Sequence, residues 1–113
     1  MFKLWLDDVR EAPDDDWIPF RRAEDLRNAV LVIGFSNIST ISLDHDLGEN
    51  VWSGYDFLKW MEVWIAGHKE TGSPIQLDMH ILIHSANPVG RKNMAAAIES
   101  IQRISMADAT GHP

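Results

Sequence analysis

The amino-acid sequence predicts one α/β domain, a short parallel sheet covered by helices on both faces as a three-layer sandwich. Three observations predict it. Short apolar runs alternate with segments of helical periodicity, 113 residues suffice for a single core, and two of the apolar runs end abruptly in aspartates.

The elements follow in order. Phe2 to Leu6 is a short apolar run ending in Asp7-Asp8, the pattern of a buried strand with acids at its C-terminal end. Residues 11–16, EAPDDD, make a polar loop. Trp17 to Arg22 reads as an edge strand, because Pro19 cannot donate to a central ladder. From Ala23 the spacing of Leu26, Val30 and Ile33 is helical, with Glu24 and Asp25 in the first turn and Gly34 at the stop. Ile38 to Leu43 is a second clear strand, running into Asp44. After a turn-rich loop, Ser53 and Asp56 stand as a capping box ahead of a helix that carries Leu58, Met61 and Ile65 on one face and is ended by Gly67 and the polar stretch HKETGSP. Met79 to Ile83 is a third clear strand, followed by His84-Ser85. Asn87-Pro88 supplies an N-cap and a first-turn proline for a last helix with Met94, Ile98 and Ile101 inward. The ordered domain is expected over 1–106, with a flexible tail at 107–113.

Composition narrows the function. With no cysteine, disulfides, thiolate zinc sites and cysteine nucleophiles are excluded. A net charge of −7 disfavours a duplex nucleic-acid partner. Arg21, Arg22, Arg91, Lys92 and Arg103 form only small local groups, fit for a small anion. The opening MFKLWLDDVR turns acidic at once and no apolar run reaches ~20 residues, so neither a signal peptide nor a membrane span is expected, and the cytoplasm of a bacterium or phage host is the expected setting. Nothing in the sequence sets an oligomeric state.

In parallel sheets the ligand lies beyond the carboxyl ends of the strands. That rule gathers Asp7, Asp8, Asp44, Asp46, His84 and Ser85 from three distant parts of the chain. Carboxylates crowded at one crevice repel, and a hard dication such as Mg²⁺ or Mn²⁺ relieves the repulsion while bridging to phosphate. Ser85 is expected to donate to a phosphate oxygen, and Ala86-Asn87 leads into a helix N-terminus that favours an anion. His45 and His84 flank the crevice with the chemistry of a general acid or base. His80, four residues before His84, reads as structural. Of the five tryptophans, Trp60 and Trp64 are spaced as core or interface residues of a helix, with core the default, and Trp52 could stack on a base or ribose.

Leu6-Asp7-Asp8, Ser42-Leu43-Asp44-His45-Asp46-Leu47-Gly48, Ser53-Gly54-Tyr55-Asp56 and His84-Ser85-Ala86-Asn87-Pro88 together resemble the cyclic-phosphate processing receiver-like family, a relative of the response-regulator receiver domains. The resemblance runs from Leu4 to about Ile104 and implies a flavodoxin-like, receiver-like fold of four strands in the order 2-1-3-4. It implies that Asp7 and Asp8 are the Mg²⁺-holding pair, Asp44 the receiver aspartate, Ser85 and Ala86 the hydroxyl and small residues at the phosphoryl group, and Gly54 the glycine that opens the next helix. Spacing leaves Asp44 and Asp46 both open for the receiver aspartate. The final receiver strand and its lysine are missing, which disfavours phosphorylation-driven switching.

The leading expectation is therefore a metal-dependent phosphoesterase acting on a cyclic phosphate of a small nucleotide or an RNA end. Asp7, Asp8 and one of Asp44 and Asp46 would hold Mg²⁺ or Mn²⁺, the other aspartate or His45 would handle the attacking water, and His84 would protonate the leaving oxygen. The alternative is a non-catalytic receiver-like module that binds a phosphorylated ligand or a partner protein.

Overall fold

The computed structural model describes the backbone of residues 1–110 and side chains as far as residue 105, so the end of the expected tail, 111–113, lies outside the described residues. Its elements are β1 (Phe2–Leu6), β2 (Trp17–Phe20), α1 (Ala23–Ile33), a 3₁₀ turn (Phe35–Asn37), β3 (Ile38–Leu43), α2 (Gly54–Glu70), β4 (His80–Ile83) and α3 (Pro88–Thr110). The strands form one parallel sheet in the order β2-β1-β3-β4, a receiver-like α/β fold with four strands among the described residues.

The boundaries have local causes. α2 begins at the expected capping box, with Ser53 accepting from the Asp56 N–H and Asp56 accepting from the Ser53 N–H. Gly67 does not stop it, since a glycine inside a helix costs only about 1 kcal/mol and the helix continues to Glu70. β2 sits at the sheet edge, as Pro19 requires, and stops at Phe20.

The helical layer differs from the expected sandwich. Leu4, Leu6, Ile41 and Leu43 share one core with Leu26 and Val30 of α1, Phe57, Leu58, Met61 and Ile65 of α2, and Met94 and Ile101 of α3. All three helices thus cover the same face of the sheet. The other face carries Lys3 and Trp5, Trp17 and Pro19, Thr40 and Ser42, and His80 and Leu82, which lie side by side in the strand register. No helix among the described residues packs there, and the smallest molecular extent, 21 Å, fits a sheet with one helical layer.

The cause is topological. The crossovers from β2 to β3 and from β3 to β4 run in the same direction across the sheet, so right-handedness puts α1 and α2 on one side. Only the connection from β1 to β2 runs the other way, and residues 7–16 of that connection hold no helix. α3 has no strand after it among the described residues and packs beside α2. No helix among the described residues is long and apolar enough to cross a membrane.

Candidate active site

The sheet ladder continues one step past the strands and fixes the site. The N–H of Asp7 donates to Phe20 O at 3.1 Å, that of Asp44 to Leu6 O at 2.9 Å and that of His84 to Leu43 O at 3.0 Å. Residues two apart in a strand share a face, so Asp7, Asp44 and His84 follow Trp5, Ser42 and Leu82 on the open face. Burial against the helices positions the strands, and the strands set these three side chains at one level.

Asp7, Asp8 and Asp44 each present a carboxylate oxygen, and these oxygens lie within 4.8 Å of one another. Asp46 stands apart. Its Oδ1 accepts from His45 Nδ1 at 2.8 Å, and Asn87 Nδ2 donates to its Oδ2 at 3.3 Å. The geometry therefore groups Asp44, not Asp46, with the acidic pair after β1. Three oxygen donors at this separation suit a hard divalent cation, which would offset their mutual repulsion.

Asp7 is held most tightly. Its side chain is 3% exposed, its Oδ1 accepts from the N–H groups of Val9 at 2.9 Å and Arg10 at 2.7 Å, and its Oδ2 accepts from His84 Nε2 at 3.1 Å. Burial raises the Asp7 carboxyl, but these donors outweigh it and leave the group below its ordinary value. Burial pushes the His84 imidazole down, more than the nearby Asp7 and Asp44 carboxylates push it up. A hydrogen bond from His45, then one from Asn87, holds Asp46 below the usual carboxylate range.

The two histidines are placed differently. His84 has both ring nitrogens engaged, Nδ1 with Ser42 Oγ at 2.7 Å and Nε2 with Asp7, and its ring lies flat on Trp5 at 3.8 Å. Of the two ring nitrogens of His45, Nδ1 bonds to Asp46, and the side chain is 22% exposed. Gly90 at the start of α3 makes room for that ring: a Cβ there would lie 2.5 Å from His45 Cγ. Gly54 is needed in the same way, because a Cβ would collide with the Asp44 carbonyl, while its N–H donates to His45 O at 3.0 Å.

Ser85 is 3% exposed, and its Oγ accepts from the Asn87 N–H at 3.1 Å, which leaves its own proton to donate elsewhere. Asn87 Oδ1 caps the Gly90 N–H at 3.0 Å, and Pro88 has no N–H, so much of the helix N-terminus expected to bind an anion is already spent. Ala86 follows Ser85 as an exposed residue of the same loop.

The arginines brace the backbone around the site. Arg10 Nη1 donates to His84 O at 3.1 Å, Arg21 Nη1 to Asp7 O at 3.2 Å, and Arg91 Nη1 to Ser85 O at 3.0 Å. Trp52 does not face these acids; it packs against the helical core with Arg27 over its ring at 5.2 Å. Trp60 is half-buried against the core, whereas Trp64, expected there too, is half-buried between Trp60 and His68, and His80 is exposed on the open face.

Sequence reasoning missed Ser42, Trp5 and Arg10. The signal for Ser42 and Trp5 was their place two residues before Asp44 and Asp7, which puts each on the same face as its acid. No curated protein and no solved structure matches the chain. A model of the cyclic-phosphate processing receiver domain family matches residues 2–100.

Proposed function

The chain belongs to the cyclic-phosphate processing receiver domain family, and from that premise we propose that it is a metal-dependent phosphoesterase opening a cyclic phosphate of a small nucleotide or an RNA end. The family's name gives the role in cyclic-phosphate processing. The observation that carries the hydrolytic reading is the convergence of Asp7, Asp8 and Asp44 at the open ends of β1 and β3.

In this reading the three carboxylates would hold Mg²⁺ or Mn²⁺, which when bound would supply Lewis-acid polarisation and lower the pKa of water. The remaining work falls to side chains. Asp44 Oδ1 accepts the His45 N–H at 2.8 Å, which anchors the Asp44 carboxylate beside the acidic pair. Asp46 accepts from His45 Nδ1, fixing the tautomer whose Nε2 lone pair takes a proton from the attacking water. The new bond joins the water oxygen to phosphorus, one ring P–O ester bond breaks, and the departing alkoxide takes a proton back from His45. Ser85 donates its hydroxyl proton to a non-bridging oxygen. Asn87 ties Asp46 to the start of α3 and keeps that pair in place.

A panel of 2′,3′-cyclic nucleotides, cyclic-phosphate-ended oligoribonucleotides and ADP-ribose cyclic phosphate tests the proposal, with Mg²⁺, with Mn²⁺ and with chelator. Turnover should require the metal and vanish in Asp44→Asn. No turnover by folded protein on any member would turn the reading to the second one, a module that binds a phosphorylated ligand or a partner protein. One feature favours that second reading: α2 presents Val63, 70% exposed, beside the half-buried Trp60 and Trp64.

A further inference from the structure

His84 is mostly enclosed by protein partners. Its side chain is 14% exposed, it stacks on Trp5 with an interplanar angle of 2°, and each ring nitrogen has a protein partner. An ionised Asp7 can only accept, so the proton on Nε2 belongs to His84. With that proton in place, a neutral ring accepts at Nδ1, and the Ser42 hydroxyl is the donor that faces it.

We propose that His84 is a positioning residue for the cation site, holding the Asp7 carboxylate toward Asp8 and Asp44 while Ser42 and Trp5 hold the ring. The inference rests on the metal-dependent reading above. Without His84, both recorded donors to the Asp7 carboxylate, Val9 and Arg10, act on the single oxygen Oδ1. One anchored oxygen leaves the carboxylate free to swing about it. The His84 bond to Oδ2 supplies a second anchor from the end of a different strand, one residue past β4, and so fixes the plane. The ring itself has little freedom, with Trp5 against its face at 3.8 Å and Ser42 at its Nδ1 edge.

A nucleophilic serine arrangement does not fit the same three residues. Ser42 is 3% exposed, with His84 at its hydroxyl, so substrate has no approach to its oxygen. The order of partners is also reversed, since the carboxylate takes Nε2 and the hydroxyl takes Nδ1.

The test is Mn²⁺ binding followed by electron paramagnetic resonance on the full chain, alongside His84→Ala, His84→Gln and Ser42→Ala, each checked by thermal unfolding. His84→Ala should lose about 10–100-fold in Mn²⁺ affinity, the usual effect of removing a residue that orients a metal ligand. His84→Gln, whose amide N–H reaches the place of the Nε2 proton, should recover most of it, and Ser42→Ala should fall between. A proton-donor role for His84 predicts the opposite: wild-type affinity in both His84 variants. Nitrogen chemical shifts of the His84 ring should report the Nε2–H tautomer, and the Nδ1–H tautomer would overturn the inference. If His84→Ala does not fold, His84→Gln, Ser42→Ala and the tautomer still decide. Tight Mn²⁺ binding by all variants sinks the positioning role and leaves the phosphoesterase reading standing. The expected affinity series with no turnover of any cyclic phosphate does the reverse. A wild-type chain that binds no Mn²⁺ overturns both.

Discussion

The two faces of the sheet are organised by different forces. On the covered face, Leu4, Leu6, Ile41 and Leu43 meet three helices, and position follows from excluding water. On the open face, Trp5, Ser42 and His84 are placed by a stacked ring pair and directional hydrogen bonds that run on to Asp7. Apolar packing is non-directional and tolerates small shifts. A carboxylate that must meet two others within a few ångströms does not. The difference teaches that this chain keeps its stability on one face and the aim of its site on the other.

The largest test of that division compares Ile41→Ala with Leu82→Ala. Ile41 is fully buried under the helices and Leu82 is 48% exposed on the open face. Removing Ile41 should cost about 2–5 kcal/mol, through lost burial and the cavity left behind. Leu82→Ala should cost under about 1 kcal/mol, because much of that side chain already meets water. Denaturant unfolding measures both. Equal costs would mean that something covers the open face in solution and that the division is not real.

Much of this was legible in the sequence. Helical spacing placed Leu26, Val30, Met61, Ile65, Met94 and Ile101, and acids after apolar runs placed Asp7, Asp8 and Asp44 at strand ends. The open face was legible only in hindsight. Lys3, Thr40, Ser42 and His80 alternate with apolar neighbours, which is the mark of a strand with one wet face. Alternating strands and helices usually mean cover on both sides, and that expectation outweighed the alternation. The loop of residues 7–16 is the physical reason it failed, since the one crossover directed at the other face carries no helix. The separate placements of His45 and His84 were not legible at all. They depend on strand register and on Gly90 standing beside His45, and neither is encoded in local spacing.

Gly90→Ala sharpens the comparison at the rim, where α3 from the covered side touches the site. A Cβ at residue 90 would come within 2.5 Å of His45 Cγ and 3.0 Å of its Cβ, so the ring must leave its bond to Asp46. Because the ring is partly exposed, it can turn outward, and the stability cost should stay near the low end of the roughly 1–3 kcal/mol seen for overpacking. Turnover should fall about 100-fold, as expected when an acid–base group loses its place. Mn²⁺ affinity should hardly move, because the atoms a Cβ at residue 90 would meet first all belong to His45, which is not one of the three clustered carboxylates. A variant with intact turnover would remove His45 from the chemistry.

The smallest expected effect lies at a polar seam within the helical layer. Glu62 on α2 accepts from Lys59 Nζ at 2.7 Å, and that bond, then one from Ser100 of α3, holds its carboxyl below the ordinary value of 4.5. A depressed folded-state pKa stabilises the fold above the unfolded value and loses that contribution as pH falls through the folded one. The stability difference between the wild type and Glu62→Gln should therefore be steady above about pH 5 and shrink below pH 4.5. Its size should not exceed about 0.5 kcal/mol, since the Lys59 end of the pair is open to water and the attraction is screened there. Urea unfolding from pH 3 to pH 7 measures it. A difference that persists unchanged at pH 3 would mean that Glu62 acts through packing and not through its charge, and that the helical layer is apolar in its energetics even at its polar seam.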